Sequence, residues 1–194
     1  MLNFFQLTET DKLGAYRVVA DDMQVNEAII EKDFWVCLML EILFEHSKYS
    51  NRFAFKGGTS LSKAYQIIQR FSEDIDLILD WRVLGYDTNE PWCERSKTAQ
   101  RKFNDQANER AAQWIQNKLI PDLNDKLMDL GISEVKLKIS DRDVQTIQVF
   151  YPKAFDNQAI LQEIRLEIGP LAAWTPIQNK DIQSYVAQAL PHLF

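Results

Sequence analysis

The most regular pattern in this chain is helical: apolar positions recur every three or four residues between residues 26 and 45. That spacing places the apolar side chains along one side of a helix, and Asn26 stands in front of it as a good capping residue. Three later segments alternate apolar and polar residues over most of their length: "EVKLKIS", "TIQVFY" and "AILQEIRLEIG". This alternation predicts three half-buried antiparallel strands.

Residues 51–80 predict a strand, a helix and a second strand in turn. "NRFAFKGG" is a short strand ending in two glycines, and "DIDLILD" is the second strand. The helix between them covers residues 59–70, and its predicted inner stripe is Leu61, Ala64, Tyr65 and Ile68. Further helices are predicted over residues 95–130, ending at Gly131, and near the C-terminus in residues 179–194.

This succession of helices followed by strands predicts an α+β fold with a mixed or antiparallel sheet flanked by helices. We divide the chain into an N-terminal helical segment, residues 1–50, and a core, residues 51–194. The 194 residues include 46% hydrophobic residues, which is ample for one core. No run approaches the roughly 20 apolar residues that span a bilayer, and the start is unlike a secretory signal, so we expect a cytoplasmic protein without a membrane partner.

Charge and cysteines add little to this picture. A net charge of −6 neither favours nor excludes binding to nucleic acid, because a local basic face can coexist with an acidic total. Cys37 and Cys93 lie far apart without metal-ligand spacing, so we expect two reduced thiols.

Two aspartates are the first candidates for a functional site in this chain. Asp74 and Asp76 are separated by one residue, so on a strand their side chains share a face, opposite the apolar Ile75 and Leu77. Two neighbouring carboxylates repel each other unless something compensates their charge. Mg²⁺ prefers oxygen ligands and is usually held by one or two carboxylates plus substrate phosphates. We therefore interpret Asp74 and Asp76 as metal ligands.

The segment "KGGTSLSK" upstream has the features of a phosphate-binding turn. Glycines allow the backbone to approach phosphate oxygens closely, and the following helix presents free N–H groups. Hydroxyl donors and cations are also available there: Thr59, Ser60 and Ser62, with Lys56 or Lys63. A phosphate-binding turn, a helix and then paired carboxylates are typical of phosphoryl or nucleotidyl transfer.

A third carboxylate often completes such a site, and the strand "QEIRLEIG" offers two. If this strand lies beside "DIDLIL", Glu167 faces the aspartates, and Glu163 on the same face is the alternative. Each feature alone has an ordinary explanation as a turn or as a solvated face. The glycine segment also departs from the G-x-x-x-x-G-K-[ST] pattern. The order and spacing of the glycine turn, the aspartate pair and the third carboxylate together favour a metal-dependent site.

These motifs resemble the minimal nucleotidyltransferase fold of the DNA polymerase β superfamily, and more closely the AbiEii/AbiGii-type nucleotidyltransferase toxins. The resemblance rests on "EKDFWV", "FKGGTSLSKAY", "RFSEDIDL", "RLEIG" and "IQSYV", which span residues 27–190. It implies nucleotide binding by one group of residues: Gly57, Gly58, Thr59, Ser60 and Lys63. It also implies a site for two Mg²⁺ ions held by Asp74 and Asp76, with Glu167 as the third catalytic carboxylate. Lys63 and Arg70 would contact phosphate or pair with the acidic residues.

The resemblance further implies transfer of a nucleoside monophosphate from an NTP to a tRNA 3′-end or to a protein hydroxyl. The physiological result would be phage defence or growth arrest, and a separately encoded antitoxin would neutralise the toxin. Relatives continue into a C-terminal helical part that bears a basic residue and an Arg/Lys-Asp pair ahead of "DL". We do not find that region here, so we expect a fragment or a short member of the family. The alternatives are a nucleotide-binding or antitoxin-binding module without catalysis, and a metal-dependent phosphohydrolase. The basic residues between 95 and 102 could contact RNA or simply be solvated.

Overall fold

A computed structural model describes residues 1–68, 74–170 and 177–194. Its helices are α1 Leu2–Phe5, α2 Glu9–Met23, α3 Glu27–Glu41, α4 Gly57–Lys63, α5 Lys97–Trp114, α6 Ile120–Asp129 and α7 Tyr185–Ala189. Its strands are β1 Phe53–Lys56, β2 Asp74–Leu79, β3 Lys136–Ile139, β4 Thr146–Phe150 and β5 Ile164–Gly169. Two π-helical turns, Ile42–His46 and Ile115–Leu119, extend α3 and join α5 to α6.

The five strands form one mixed sheet in the order β1-β2-β5-β4-β3. Strands β2 and β5 are parallel, whereas every other neighbouring pair is antiparallel. One face of the sheet is apolar: Ile75, Leu77, Leu79, Ile147, Val149, Ile164 and Leu166 are all fully buried. The predicted α+β fold with a mixed sheet flanked by helices is confirmed, and it is consistent with a minimal nucleotidyltransferase fold.

Helix α3 lies at the centre of the packing, against α2, α7 and β5. Twelve of its fifteen residues are buried, so it is enclosed nearly all round. The predicted Asn26 cap is confirmed, since the Asn26 side chain accepts a hydrogen bond of 3.0 Å from the Ala28 N–H. The core contains residues from both sides of residue 50, and the ring of Phe4 stacks on Phe194 near the C-terminus.

Three consecutive charged residues of α3 are buried, and each is attached to a different segment. Glu31 accepts hydrogen bonds from the backbone N–H groups of Ala154 (2.7 Å) and Phe155 (3.2 Å). Lys32 donates to the carbonyl of Leu161. Asp33 contacts α4 and α7. Burying charge is costly unless it is paired, and these contacts meet that need while fixing three segments around one helix.

The prediction for α4 is partly wrong. Within the described residues the helix ends at Lys63, and Arg70 lies outside them, in residues 69–73. Two members of the predicted inner stripe are exposed: Leu61 by 40% and Tyr65 by 44%. The residues that turn inward are Thr59, Ser60 and Lys63. Thr59 donates a hydrogen bond to the Asp74 carbonyl of β2, and Lys63 forms an ion pair with the buried Asp33 of α3.

Among the residues that the structure describes, no helix has the length and apolar character needed to cross a membrane. The prediction of strands from alternating segments is confirmed for β3, β4 and β5. Helices α1 and α2 were not individually predicted from the sequence. The buried residues of α2, which are Ala15, Tyr16, Val19 and Ala20, lie on one side of that helix.

Candidate active site

The three predicted carboxylates, Asp74 and Asp76 of β2 and Glu167 of β5, share the second face of the sheet, opposite the apolar one. We call this the polar face, and it also carries Arg165 of β5 and Gln148 of β4. In the parallel pairing of β2 with β5, Asp76 is directly opposite Glu167, and Asp74 is opposite Arg165. Paired residues on adjacent strands are about 4.8 Å apart and point to the same face. The conditional prediction for Glu167 is therefore met: its strand is the neighbour of β2.

The rival carboxylate, Glu163, has different partners. Its side chain accepts hydrogen bonds from Gln148 Nε2 at 2.8 Å and from Arg165 Nε at 2.9 Å, and the residue is buried. Both oxygens are thus used in orienting neighbours on the sheet. Glu167, in register with Asp76, is the better placed of the two to act with the aspartates.

Electrostatics support a functional grouping of the carboxylates. Burial raises the pKa of the Glu167 carboxyl above its usual range, and the nearby charges of Asp74 and Asp76 raise it further. Arg165 opposes this shift, and its own pKa is raised by its hydrogen bond to Glu163 and by Asp74 and Glu167. Like charges held this close destabilise the ionised state unless a cation compensates them.

The first glycine of the pair, Gly57, packs directly against Asp76 of β2. Gly57 has a φ of +75°, and a Cβ atom built on it would lie 1.8 Å from Asp76 Oδ2 and 2.5 Å from Asp76 Cγ. Only glycine adopts this conformation readily, and only a residue without a side chain leaves room for the carboxylate. The turn that begins α4 is therefore packed against one of the two predicted metal ligands.

Two side chains of α4 fasten the helix to its surroundings. The Thr59 hydroxyl donates a hydrogen bond to the backbone carbonyl of Asp74, so the side chain is directed into the fold. Lys63 is buried in an ion pair with Asp33, donates to the carbonyl of Gln183 at 3.4 Å, and lies 3.7 Å from the centre of the Tyr185 ring. These placements do not favour direct phosphate contacts from the Thr59 or Lys63 side chains.

Asp33 completes this arrangement and was not singled out from the sequence. Its Oδ2 accepts a hydrogen bond of 2.7 Å from the Tyr185 N–H, at the first turn of α7. Burial raises the pKa of Asp33 even though Lys63 opposes the shift, so desolvation is the larger effect. Three charges in succession within an otherwise apolar helix were the available signal, because such residues are rarely buried without partners.

A comparison with protein families identifies the chain. The family model described as "Nucleotidyl transferase AbiEii toxin, Type IV TA system" matches residues 39–193, which is 155 of the 194 residues. The chain belongs to the AbiEii family. This family consists of nucleotidyltransferase toxins of type IV toxin–antitoxin systems, so the predicted resemblance is confirmed. No curated protein and no solved structure is significantly similar to the chain.

An AbiEii nucleotidyltransferase implies an NTP substrate and a divalent metal. Among residues 1–68, 74–170 and 177–194, no group of three or more His, Cys, Asp or Glu side chains converges as a metal site. Mg²⁺ does not need one, since one or two carboxylates and substrate phosphates are its usual ligands. Asp74 and Asp76 provide oxygen donors of the right kind, and the raised pKa of Glu167 marks excess negative charge. The residues therefore fit an open magnesium site completed by substrate.

Proposed function

We propose that this AbiEii-family chain is a cytoplasmic Mg²⁺-dependent toxin that transfers a nucleoside monophosphate from an NTP to a hydroxyl acceptor. The observation that carries the proposal is the register of β2 with β5, which sets Glu167 opposite Asp76, together with the close packing of Gly57 on the Asp76 carboxylate. A glycine turn beside paired carboxylates brings a triphosphate and its metal to the same place.

Each residue of the site has a defined task in this proposal. Asp74 and Asp76 would hold Mg²⁺, which would supply positive charge to offset that of the triphosphate. The acceptor oxygen attacks the α-phosphorus, the bond to the bridging oxygen breaks, and pyrophosphate leaves. Glu167 accepts the proton of the acceptor hydroxyl, a task that suits a carboxylate with a raised pKa.

The residues of α4 bind and position the nucleotide. Gly57 and Gly58 offer backbone N–H groups to phosphate oxygens, and the first turn of α4 has no side-chain cap. We assign Thr59, Ser60 and Lys63 to the nucleotide site as well. The Thr59 hydroxyl and the Lys63 ammonium act there by holding α4 against Asp74 and Asp33, as their contacts support.

The acceptor in this proposal is a tRNA 3′-end or a protein hydroxyl, and a separately encoded antitoxin is the physiological partner. The test is incubation of the protein with each α-³²P-labelled NTP, Mg²⁺ and either total tRNA or cell protein. We expect label in one acceptor fraction, dependence on Mg²⁺, and loss of at least a hundredfold in Asp76→Asn. Asp105→Asn on the exposed surface of α5 is the matched control and should keep wild-type transfer.

The outcomes separate the proposal from the two alternatives. Binding of NTP without transfer to either acceptor would identify a nucleotide-binding module, and release of free nucleotide or phosphate without labelled acceptor would identify a phosphohydrolase. Equal transfer by wild type and Asp76→Asn would refute the assignment of the site.

A further inference from the structure

We propose that Lys56 is the side chain that binds the triphosphate of the nucleotide, a role that rests on the proposed function and adds a residue to its site. Lys56 is the last residue of β1 and directly precedes the glycine pair. The residue types offered Lys56 or Lys63 as a phosphate-binding cation, the family resemblance implied Lys63, and the structure distinguishes the two.

Lys56 lies on the polar face next to the carboxylates. In the antiparallel pairing of β1 with β2, Lys56 is opposite Asp76, and Asp76 is in turn opposite Glu167 on β5. The three side chains therefore form one row across three strands, with the cation on the side of the glycine turn. The neighbouring residue Phe55 pairs with Leu77 and belongs to the apolar face, which confirms which way Lys56 points.

Lys56 is also available for a ligand. It is exposed, and its ammonium forms no hydrogen bond or ion pair with any residue in the described parts of the chain. Lys63 differs in both exposure and pairing, because it is buried and forms an ion pair with Asp33. Arg165, which also lies beside the carboxylates, already donates through Nε to Glu163.

A triphosphate arriving beside Asp74, Asp76 and Glu167 adds negative charge to three carboxylates, so a cation besides Mg²⁺ favours its binding. The competing explanation is that Lys56 merely balances Asp76 across the two strands. Both explanations predict that removing the Lys56 charge leaves binding of Mg²⁺ without nucleotide unchanged or tighter, because a lysine repels the metal ion. They differ for the triphosphate: its binding becomes weaker if Lys56 contacts it, and stays unchanged if Lys56 only balances Asp76.

The experiment measures calorimetric affinities of the full chain for tripolyphosphate and for each NTP in excess Mg²⁺, and for Mg²⁺ alone. For Lys56→Gln we expect about 10- to 100-fold weaker binding of tripolyphosphate and NTP, the loss typical of a charge-assisted hydrogen bond. Lys56→Arg should bind within a few-fold of wild type. The control is Lys136→Gln, an exposed lysine of β3 on the same face, separated from β1 by four strand spacings, or about 19 Å across the sheet.

Unchanged tripolyphosphate binding by Lys56→Gln, at an unchanged melting temperature, overturns the inference while leaving the proposed function intact. Weakening of the same size in Lys136→Gln also overturns it, because the effect would then be general surface charge. If the wild-type protein binds neither tripolyphosphate nor any NTP, both the inference and the proposed function fail.

Discussion

Replacing Gly57 by alanine tests the geometry on which the candidate site depends. The added Cβ would lie 1.8 Å from Asp76 Oδ2, 2.5 Å from Cγ and 2.9 Å from Cβ. Rotation of the carboxylate relieves the first two contacts, but the third lies next to the backbone of β2. Alanine at a φ of +75° costs about 1–2 kcal/mol, and forced overpacking costs about 1–3 kcal/mol more. We therefore expect Gly57→Ala to lower the free energy of unfolding by about 2–5 kcal/mol.

Gly131 provides a matched control. It has the same φ of +75°, but a Cβ atom there would meet nothing within 4 Å. Gly131→Ala should thus cost only the conformational strain, about 1–2 kcal/mol. The difference between the two variants, about 1–3 kcal/mol, isolates the contact with Asp76. Urea unfolding followed by tryptophan fluorescence measures both values.

The double variant Gly57→Ala/Asp76→Ala identifies the cause of the loss. Without the Asp76 carboxylate two of the three close contacts disappear, so the double variant should be more stable than the sum of the single effects by about 1 kcal/mol or more. In Gly57→Ala the displaced carboxylate should also weaken Mg²⁺ binding and abolish nucleotide transfer. Equal unfolding free energies for Gly57→Ala and Gly131→Ala would refute the argument.

Three further variants test the packing and charges around β2. Thr59→Val removes the hydrogen bond to the part-buried carbonyl of Asp74 and should cost about 0.5–1.5 kcal/mol in urea unfolding, whereas Thr59→Ser should cost less than half of that. Burial raises the pKa of Asp80, but hydrogen bonds from Arg82 and Arg52 lower it overall. The stability that Asp80→Asn removes should therefore be present at neutral pH and disappear as pH falls below about 4, a trend that would be absent if these ion pairs contributed nothing. Burial and the adjacent aspartates raise the pKa of Glu167 above its value in the unfolded chain. Its contribution to the free energy of unfolding is therefore present at low pH and is lost as pH rises through the raised pKa. Glu167→Gln should accordingly increase the melting temperature in EDTA at pH 7 and not at pH 4, and a lower melting temperature at pH 7 would contradict the predicted repulsion.

Much of the fold is predictable because its signals are local. The period-two alternation around Leu166 and Ile147 fixes which side chains enter the core, and the apolar period of residues 26–45 predicts α3. The spacing of Asp74 and Asp76 likewise places both on one face, whatever the neighbouring strands are. Prediction failed at α4, where the apolar side chains are exposed and the polar ones are buried, because partners distant in the chain outweigh local periodicity.

The amino-acid sequence by itself determined the α+β class, the glycine turn and the carboxylate pair, since each depends on residues only a few positions apart. The tertiary structure decided which carboxylate joins the pair, because only the parallel pairing of β2 with β5 sets Glu167 opposite Asp76. It also decided which lysine is available to a ligand: Asp33, thirty residues before Lys63, takes that ammonium into the core, while strand pairing leaves Lys56 beside Asp76. Contacts across such separations depend on how the whole chain packs, and no local pattern encodes them.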